Sequence, residues 1–110
     1  TAELIRSTMV KYDKSSCHKN GLIATQDIPN RTFIHVTHVY RDWSWINITP
    51  NCLYNHSIVN ENCKIKTITN EYGVKYKQMF ALRDIKEGEE IFVDYTKDSD
   101  LEQPQRNWKE

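Results

Sequence analysis

The sequence has no C-x-x-C pair, no excess of either charge, and no apolar run near the roughly 18 residues of a membrane-spanning helix. Each absence removes a class of protein. The three cysteines, Cys17, Cys52 and Cys63, are an odd number at spacings that fit no zinc or dithiol pattern, so no metal site is expected and reduced thiols are the default. Lysine plus arginine (15) equals aspartate plus glutamate (15), so no net field draws in nucleic acid or an anionic membrane, although a local basic patch is compatible with that balance. No charged-then-apolar leader, internal repeat or low-complexity tract is present, and no amphipathic helix longer than a few turns can be drawn. Asn30, Asn47 and Asn55 each open a formal N-glycosylation acceptor, a pattern that chance supplies in a chain rich in asparagine. What remains is a single mainly-β domain over residues 1–110, with a modest core built from many short strands.

Apolar and polar residues partly alternate from Met9 to Tyr12, which predicts an edge strand within residues 1–13. Asn20-Gly21 reads as a tight turn, followed by a short strand over Leu22 to Thr25. Pro29 breaks the chain, and Thr32 to Tyr40, dense in branched and aromatic residues, is the most strand-prone run of all. A regular strand there would put His35 and His38 on opposite faces, away from any shared ion. Arg41 to Pro50 reads as a loop or short turn that pins Trp43, Trp45 and Ile48 to the core. Lys64 to Thr69 and Val74 to Leu82 alternate cleanly about a turn at Asn70 to Gly73, the pattern of a β-hairpin. A charged turn through Gly88 leads into a last apolar strand, Ile91 to Val93, and residues 96–110 form a polar tail.

These patterns alone name no substrate, but two stretches go further. Leu53-Tyr54-Asn55-His56-Ser57, with Glu61-Asn62-Cys63 after it, and Ala81-Leu82-Arg83-Asp84-Ile85-Lys86-Glu87-Gly88-Glu89-Glu90-Ile91, ending in Asp94-Tyr95, resemble the paired signature of SET-domain protein lysine methyltransferases. Asn20 to Thr25 is similar to the second half of the glycine-rich stretch that opens that domain, so the resemblance covers about residues 10–95. It implies a compact β-fold of several short strands and small sheets, closed by a pseudoknot-like crossing of the C-terminal segment. It also implies transfer of a methyl group from S-adenosylmethionine, leaving S-adenosylhomocysteine, to a lysine of a protein or peptide. By the same resemblance Gly21, Leu22, Asn55 and His56 hold the donor, with Trp108 of the tail stacked on its adenine. Tyr95 is the catalytic residue, while Tyr54 and Val93 line the substrate channel. Val93 stands where the family usually carries Phe or Tyr, which implies room for more than one methyl.

Lys19 replaces the first glycine of the opening motif, and no cysteine follows Tyr95, from which a fold without the zinc-bound cap of many members is expected. The compactness resembles stand-alone forms found in viruses and some bacteria. The reduced thiols imply an intracellular protein, in the cytoplasm or a host cell and, for a eukaryotic host, the nucleus, while the brevity implies a homodimer whose second subunit completes the peptide groove. The alternatives are a SET-like binding module without the chemistry and a secreted glycoprotein module.

Overall fold

The computed structural model describes residues 9–15 and 19–97. Eight strands and one 3₁₀ turn make up the described chain: β1 (Val10–Lys14), β2 (Asn20–Ala24), β3 (Phe33–Arg41), β4 (Ser44–Asn47), β5 (Asn55–His56), β6 (Cys63–Thr69), β7 (Lys75–Ala81), β8 (Phe92–Val93) and the turn Tyr95–Lys97. β1 and β2 form a two-stranded antiparallel sheet, and the other six form a sheet in the order β4-β3-β7-β6-β8-β5. The architecture is the mainly-β, small-sheet fold that the sequence predicts.

The β6–β7 hairpin runs in unbroken register from Cys63 opposite Ala81 to Thr69 opposite Lys75. Alternation explains it: Cys63, Met79 and Ala81 are sealed in the core, while Lys64 and Lys66 stand on the exposed face. Asn70 closes the turn, its Oδ1 accepting from the N–H groups of Tyr72 and Val74, and Gly73 takes the positive φ of 81° that such a turn needs.

Four local expectations change. Residues 41–50 are not a loop: Ser44–Asn47 is a strand paired with the end of β3, joined by a two-residue turn in which Asp42 and Trp43 both have positive φ, 51° and 67°. That is the twist a tight hairpin favours, reached without the usual Asn-Gly. Trp43, at the tip, is 92% exposed and pins nothing to the core. Asn20-Gly21 is no turn either; it opens β2, with Gly21 opposite Asp13 and Asn20 opposite Lys14. Finally, β3 is irregular. A register shift between Val36 and His38 places His35 opposite Met79 and His38 opposite Lys77, and these partners, two apart on β7, share a face. His35 and His38 therefore both turn inward, at 1% and 7% exposure, although the described residues contain no group of three or more metal-ligating side chains.

The core joins Leu22, Ala24, Ile28, Ile34, Tyr54, Met79, Ile85, Ile91 and Val93, so both small sheets and the loops between them share one apolar interior. The C-terminal segment is threaded into it. β8 lies parallel to β5, with Asn55 opposite Phe92 and His56 opposite Val93, and touches β6 where Cys63 faces Val93. The Ser57 and Asn62 N–H groups donate to the carbonyls of Val93 and Phe92. Buried Asn62 completes the clamp: its Nδ2 donates to Glu90 O at 2.8 Å and its Oδ1 accepts from Phe92 N–H at 2.8 Å. This is the pseudoknot-like crossing, written in hydrogen bonds.

Asn62→Ala should therefore cost about 3 kcal/mol, because it strands a buried carbonyl and a buried N–H at once. Urea unfolding that shows a loss under about 1 kcal/mol would remove the clamp from this account. A second outcome concerns His35, whose ring nitrogens have no hydrogen-bond partner among the described residues. Burial pushes its pKa down to about 4, and the Asn51 backbone, which pulls the other way, does not reach bonding geometry. The folded state thus refuses a proton that the unfolded chain accepts below its ordinary 6.5, and stability falls as pH drops from about 6.5 towards about 4. By pH 5 the loss from this group is about 2 kcal/mol. Unfolding at pH 7 and 5 should show a smaller drop in His35→Leu than in the parent; equal drops would contradict it.

Candidate functional site

Two residues of β5 and the 3₁₀ turn after β8 are neighbours because β5 and β8 are paired. The structure brings Tyr54, Asn55 and Tyr95 onto the wall of one cavity of about 480 Å³, with Tyr12, Asn20, His38, Trp45, Asn47, Cys52 and Leu53. The sequence marks the first three. The others come from β1, β2, β3, β4 and the loop before β5, and no local pattern points them at one another.

Tyr95 is held from three sides. Its backbone N–H donates to His56 Nδ1 at 3.0 Å, and its hydroxyl donates to Tyr54 O at 2.5 Å. Its ring packs edge-on against Tyr54, with centroids 5.8 Å apart, and tilted against His56 at 5.1 Å. A phenol hydroxyl has one hydrogen and two lone-pair sites, so a hydroxyl that donates to Tyr54 O keeps acceptor capacity. The neighbouring Asp94 fixes the turn, its Oδ1 accepting from Thr96 N–H at 2.9 Å and from Thr96 Oγ1 at 2.6 Å. Burial, the largest influence on that carboxyl, pushes its pKa up, but the Thr96 bonds with His56 and Lys97 outweigh it and hold it below the usual carboxylate value.

Asn55 is oriented as firmly. Its Nδ2 donates to Asn20 O at 2.9 Å and to Glu90 Oε2 at 2.7 Å, which uses both amide hydrogens and leaves Oδ1, an acceptor, as its remaining polar group. Glu90 takes a second bond from Ser15 Oγ at 2.5 Å. No local signal singles out Glu90, since a glutamate in a charged turn reads as solvated surface. Gly21 lies under this pair: a Cβ there would stand 2.6 Å from Asn55 Nδ2 and closer still to the Glu90 carboxylate. The glycine serves close approach rather than a turn.

The remaining expected site residues fall elsewhere. Leu22 is 1% exposed in the core, and only its backbone, which accepts from Ile91 N–H, engages a polar partner. His56, 5% exposed, spends its ring on Tyr95. Val93, expected to line the substrate channel, is 2% exposed in the core and is absent from the cavity's described wall. The alternation that would turn it inward is set by its pairing with His56 and Cys63. Trp108 lies outside the described residues.

Trp45, on the wall, is backed by cations. Lys77 Nζ sits 4.3 Å from its ring centre and donates to Thr67 Oγ1 at 2.9 Å; Lys75 Nζ sits 5.6 Å from the same ring and 4.8 Å from that of Tyr40. No acidic side chain lies on the described wall. Cys52, on the wall, has its thiol pKa raised by burial, and Cys63, in the core, is pushed up to about 12 by the same cause, so neither is a ready nucleophile.

A family model described as SET domain matches residues 37–96. No curated protein matches the sequence. In structure, the chain is similar to a candidate histone methyltransferase of Plasmodium falciparum, at 17% identity over 82% of this chain and 95% of that one, with a TM-score of 0.66. It is also similar to Polycomb Repressive Complex 2 of Chaetomium thermophilum bound to the inhibitor GSK126, at 18% identity over 82% of this chain and 16% of that one, TM-score 0.67. The same complex in an autoinhibited conformation bound to S-adenosylmethionine gives 19% identity, 82% and 15% coverage, and a TM-score of 0.65. The chain thus spans nearly all of the first protein and a small part of the Polycomb chains, and identities this low speak to the fold.

Gly21→Ala separates the site from the fold. The atoms that a methyl group would meet are the ends of two flexible side chains, so they can swing aside and unfolding should shift by about 1 kcal/mol or less, while Asn55 leaves its position. Should the site hold S-adenosylmethionine, calorimetric titration should show its binding weakened by about tenfold. Unchanged affinity would show that the Asn55–Glu90 arrangement holds no donor.

Proposed function

The chain belongs to the SET-domain family, and from that premise we propose that it transfers a methyl group from S-adenosylmethionine to the side-chain amine of a lysine in a protein or peptide. The observation that carries this reading is one cavity bearing both the oriented Asn55 amide and the oriented Tyr95 hydroxyl. The residues fit the donor: Asn55 Oδ1 is an acceptor suited to an ammonium, and the Glu90 carboxylate behind it adds negative charge on the same side. When bound, S-adenosylmethionine supplies a methyl group on a positively charged sulfur.

The chain's own residues supply position and environment. Displacement at a methyl carbon needs alignment of the two partners rather than a covalent enzyme intermediate. The lysine must arrive as a neutral amine, and a partly dehydrated cavity with no acidic wall residue lowers its pKa by withholding solvation and counter-charge. Tyr95, its hydrogen held by Tyr54 O, offers oxygen lone pairs at a fixed place, able to orient the amine through an N–H and to favour the positive charge that spreads as the bond forms. The uncharged aromatic surface of Trp45 and Tyr54 suits the aliphatic stem of a lysine. Val93 does not reach the described wall, so room for successive methyl groups would be set by Leu53, Cys52 and Tyr54 instead. Exposed Trp43 at the hairpin tip, or a second copy of the chain, would grip the flanking peptide.

Tyr95→Phe is expected to lower kcat by about a hundredfold or more, while the affinity for S-adenosylmethionine stays within about twofold. The measurements are transfer of labelled methyl to an arrayed peptide library and calorimetric titration of the donor. Donor binding without transfer to any peptide by the parent protein would favour a binding module. Parallel loss of affinity and rate in the variant would take Tyr95 out of the chemical step.

A further inference from the structure

A second cavity, of about 340 Å³, lies on the solvent face of the large sheet. Arg31, Lys64, Lys66, Phe80 and Leu82 line it, with Asn30 and Ala81. Its position follows from register: Lys64 faces Phe80 and Lys66 faces Gln78 across β6 and β7, and Phe80 faces Phe33 of β3. These side chains point away from the core that Cys63, Met79 and Ala81 fill. Phe33 and Phe80 pack tilted, with ring centres 5.6 Å apart, and Phe33 remains 40% exposed, as does Leu82 at 37%. Arg31 is carried to the groove by a backbone with φ of 70° whose N–H donates to Ala81 O at 2.9 Å.

The charge is one-sided. Three cations and no acid stand on this wall, and none of the three cationic heads has an ion pair or side-chain hydrogen bond among the described residues. Ion pairs elsewhere on the described surface join Arg83 with Glu89, Lys86 with Asp27 and Lys97 with Glu61. The carboxylate of Asp84, which accepts from Asn30 N–H, is not on the wall. Lys64 and Lys66, two apart on one strand face, are spaced about 6.7 Å, the repeat of alternate side chains in an extended peptide.

We propose that this groove docks an extended acidic peptide segment of a partner protein, with carboxylates over Arg31, Lys64 and Lys66 and one large apolar side chain against Phe80 and Leu82. Charge complementarity selects an acidic occupant, and the apolar floor selects a peptide over a bare anion. A nucleic acid is the weaker fit, because three cations on a chain of zero net charge supply little of the sequence-independent attraction that such binding draws on. The surface lies apart from the Asn55–Tyr95 cavity and shares none of its wall residues, so it stands whether or not the chain transfers methyl groups.

The test is fluorescence anisotropy with three labelled probes: a short peptide of aspartates and glutamates around a Leu-Phe pair, the same peptide with lysines in place of the acids, and a short oligothymidine. The parent protein should bind the acidic peptide alone, several-fold more weakly at 300 mM than at 50 mM salt by roughly the screening of three contacts. Lys64→Glu and Lys66→Glu should each weaken it by about fivefold or more, whereas Arg41→Glu, an equal charge change at the far end of β3, should change it by less than about twofold. Lys66→Arg should restore binding, which separates the charge from any effect on folding. No binding of the acidic peptide, equal losses in all three charge reversals, or tighter binding of oligothymidine would overturn the proposal.

Discussion

Two residues of parallel pairing hold this molecule together. Phe92 and Val93 lie between Asn55–His56 on one side and Asn62–Cys63 on the other, and β5 and β8, two residues each, would not persist on so few ladder contacts without the rest. What makes the crossing stable is that its polar groups are answered inside the core. Asn62 satisfies Glu90 O and Phe92 N–H with one side chain, and Ser57 and Asn62 satisfy the carbonyls of Val93 and Phe92. A buried backbone group left alone would cost more than such a short strand contributes, so the crossing is either complete or absent. Everything in the site depends on it, since Asn55 and Tyr95, forty residues apart, meet through β5 and β8.

The same threading decides which parts of the chain could be read from sequence. The β6–β7 hairpin was legible because its alternation and its Asn-Gly-bounded turn are local, and β3 because its branched residues are. The β3–β4 hairpin was not, because Asp42 and Trp43 hold positive φ without the residues that advertise it. Nor was the shift in β3 that turns His35 and His38 the same way, since a bulge leaves no mark in composition. Gly21 shows two local rules competing. Asn-Gly favours a turn, but the missing Cβ was needed by Asn55 and Glu90, which arrive from residues 34 and 69 positions later in the chain. Long-range packing won, and no window of local sequence contains that information.

The site itself was half legible. Asn55, Tyr54 and Tyr95 carry a family pattern and do share a cavity wall; Val93 carries the same pattern and is sealed in the core instead. The wall's other members, from Tyr12 to Cys52, lie on five separate segments and have no common signal. Trp45 illustrates why. Its role rests on Lys75 and Lys77, which reach it only because β3 is sandwiched between β4 and β7.

The distribution of charge around the cavity ties fold to chemistry. Beside Asn55 a carboxylate, Glu90, stands one side chain back, hydrogen-bonded by Asn55 and Ser15. Beside Tyr95 the hydroxyl donates to Tyr54 O, and no acidic side chain lies on the described wall. A ligand with a cationic head therefore gains counter-charge beside Asn55 only. An ammonium on the aromatic part of the wall meets Trp45 with Lys77 behind it, and no acidic wall residue to keep it protonated. The asymmetry favours a cation beside Asn55 and an uncharged group beside Tyr95. It arises from the two strands that the crossing pairs: β5 turns Asn55 towards Glu90, and β8 delivers Tyr95 to Tyr54.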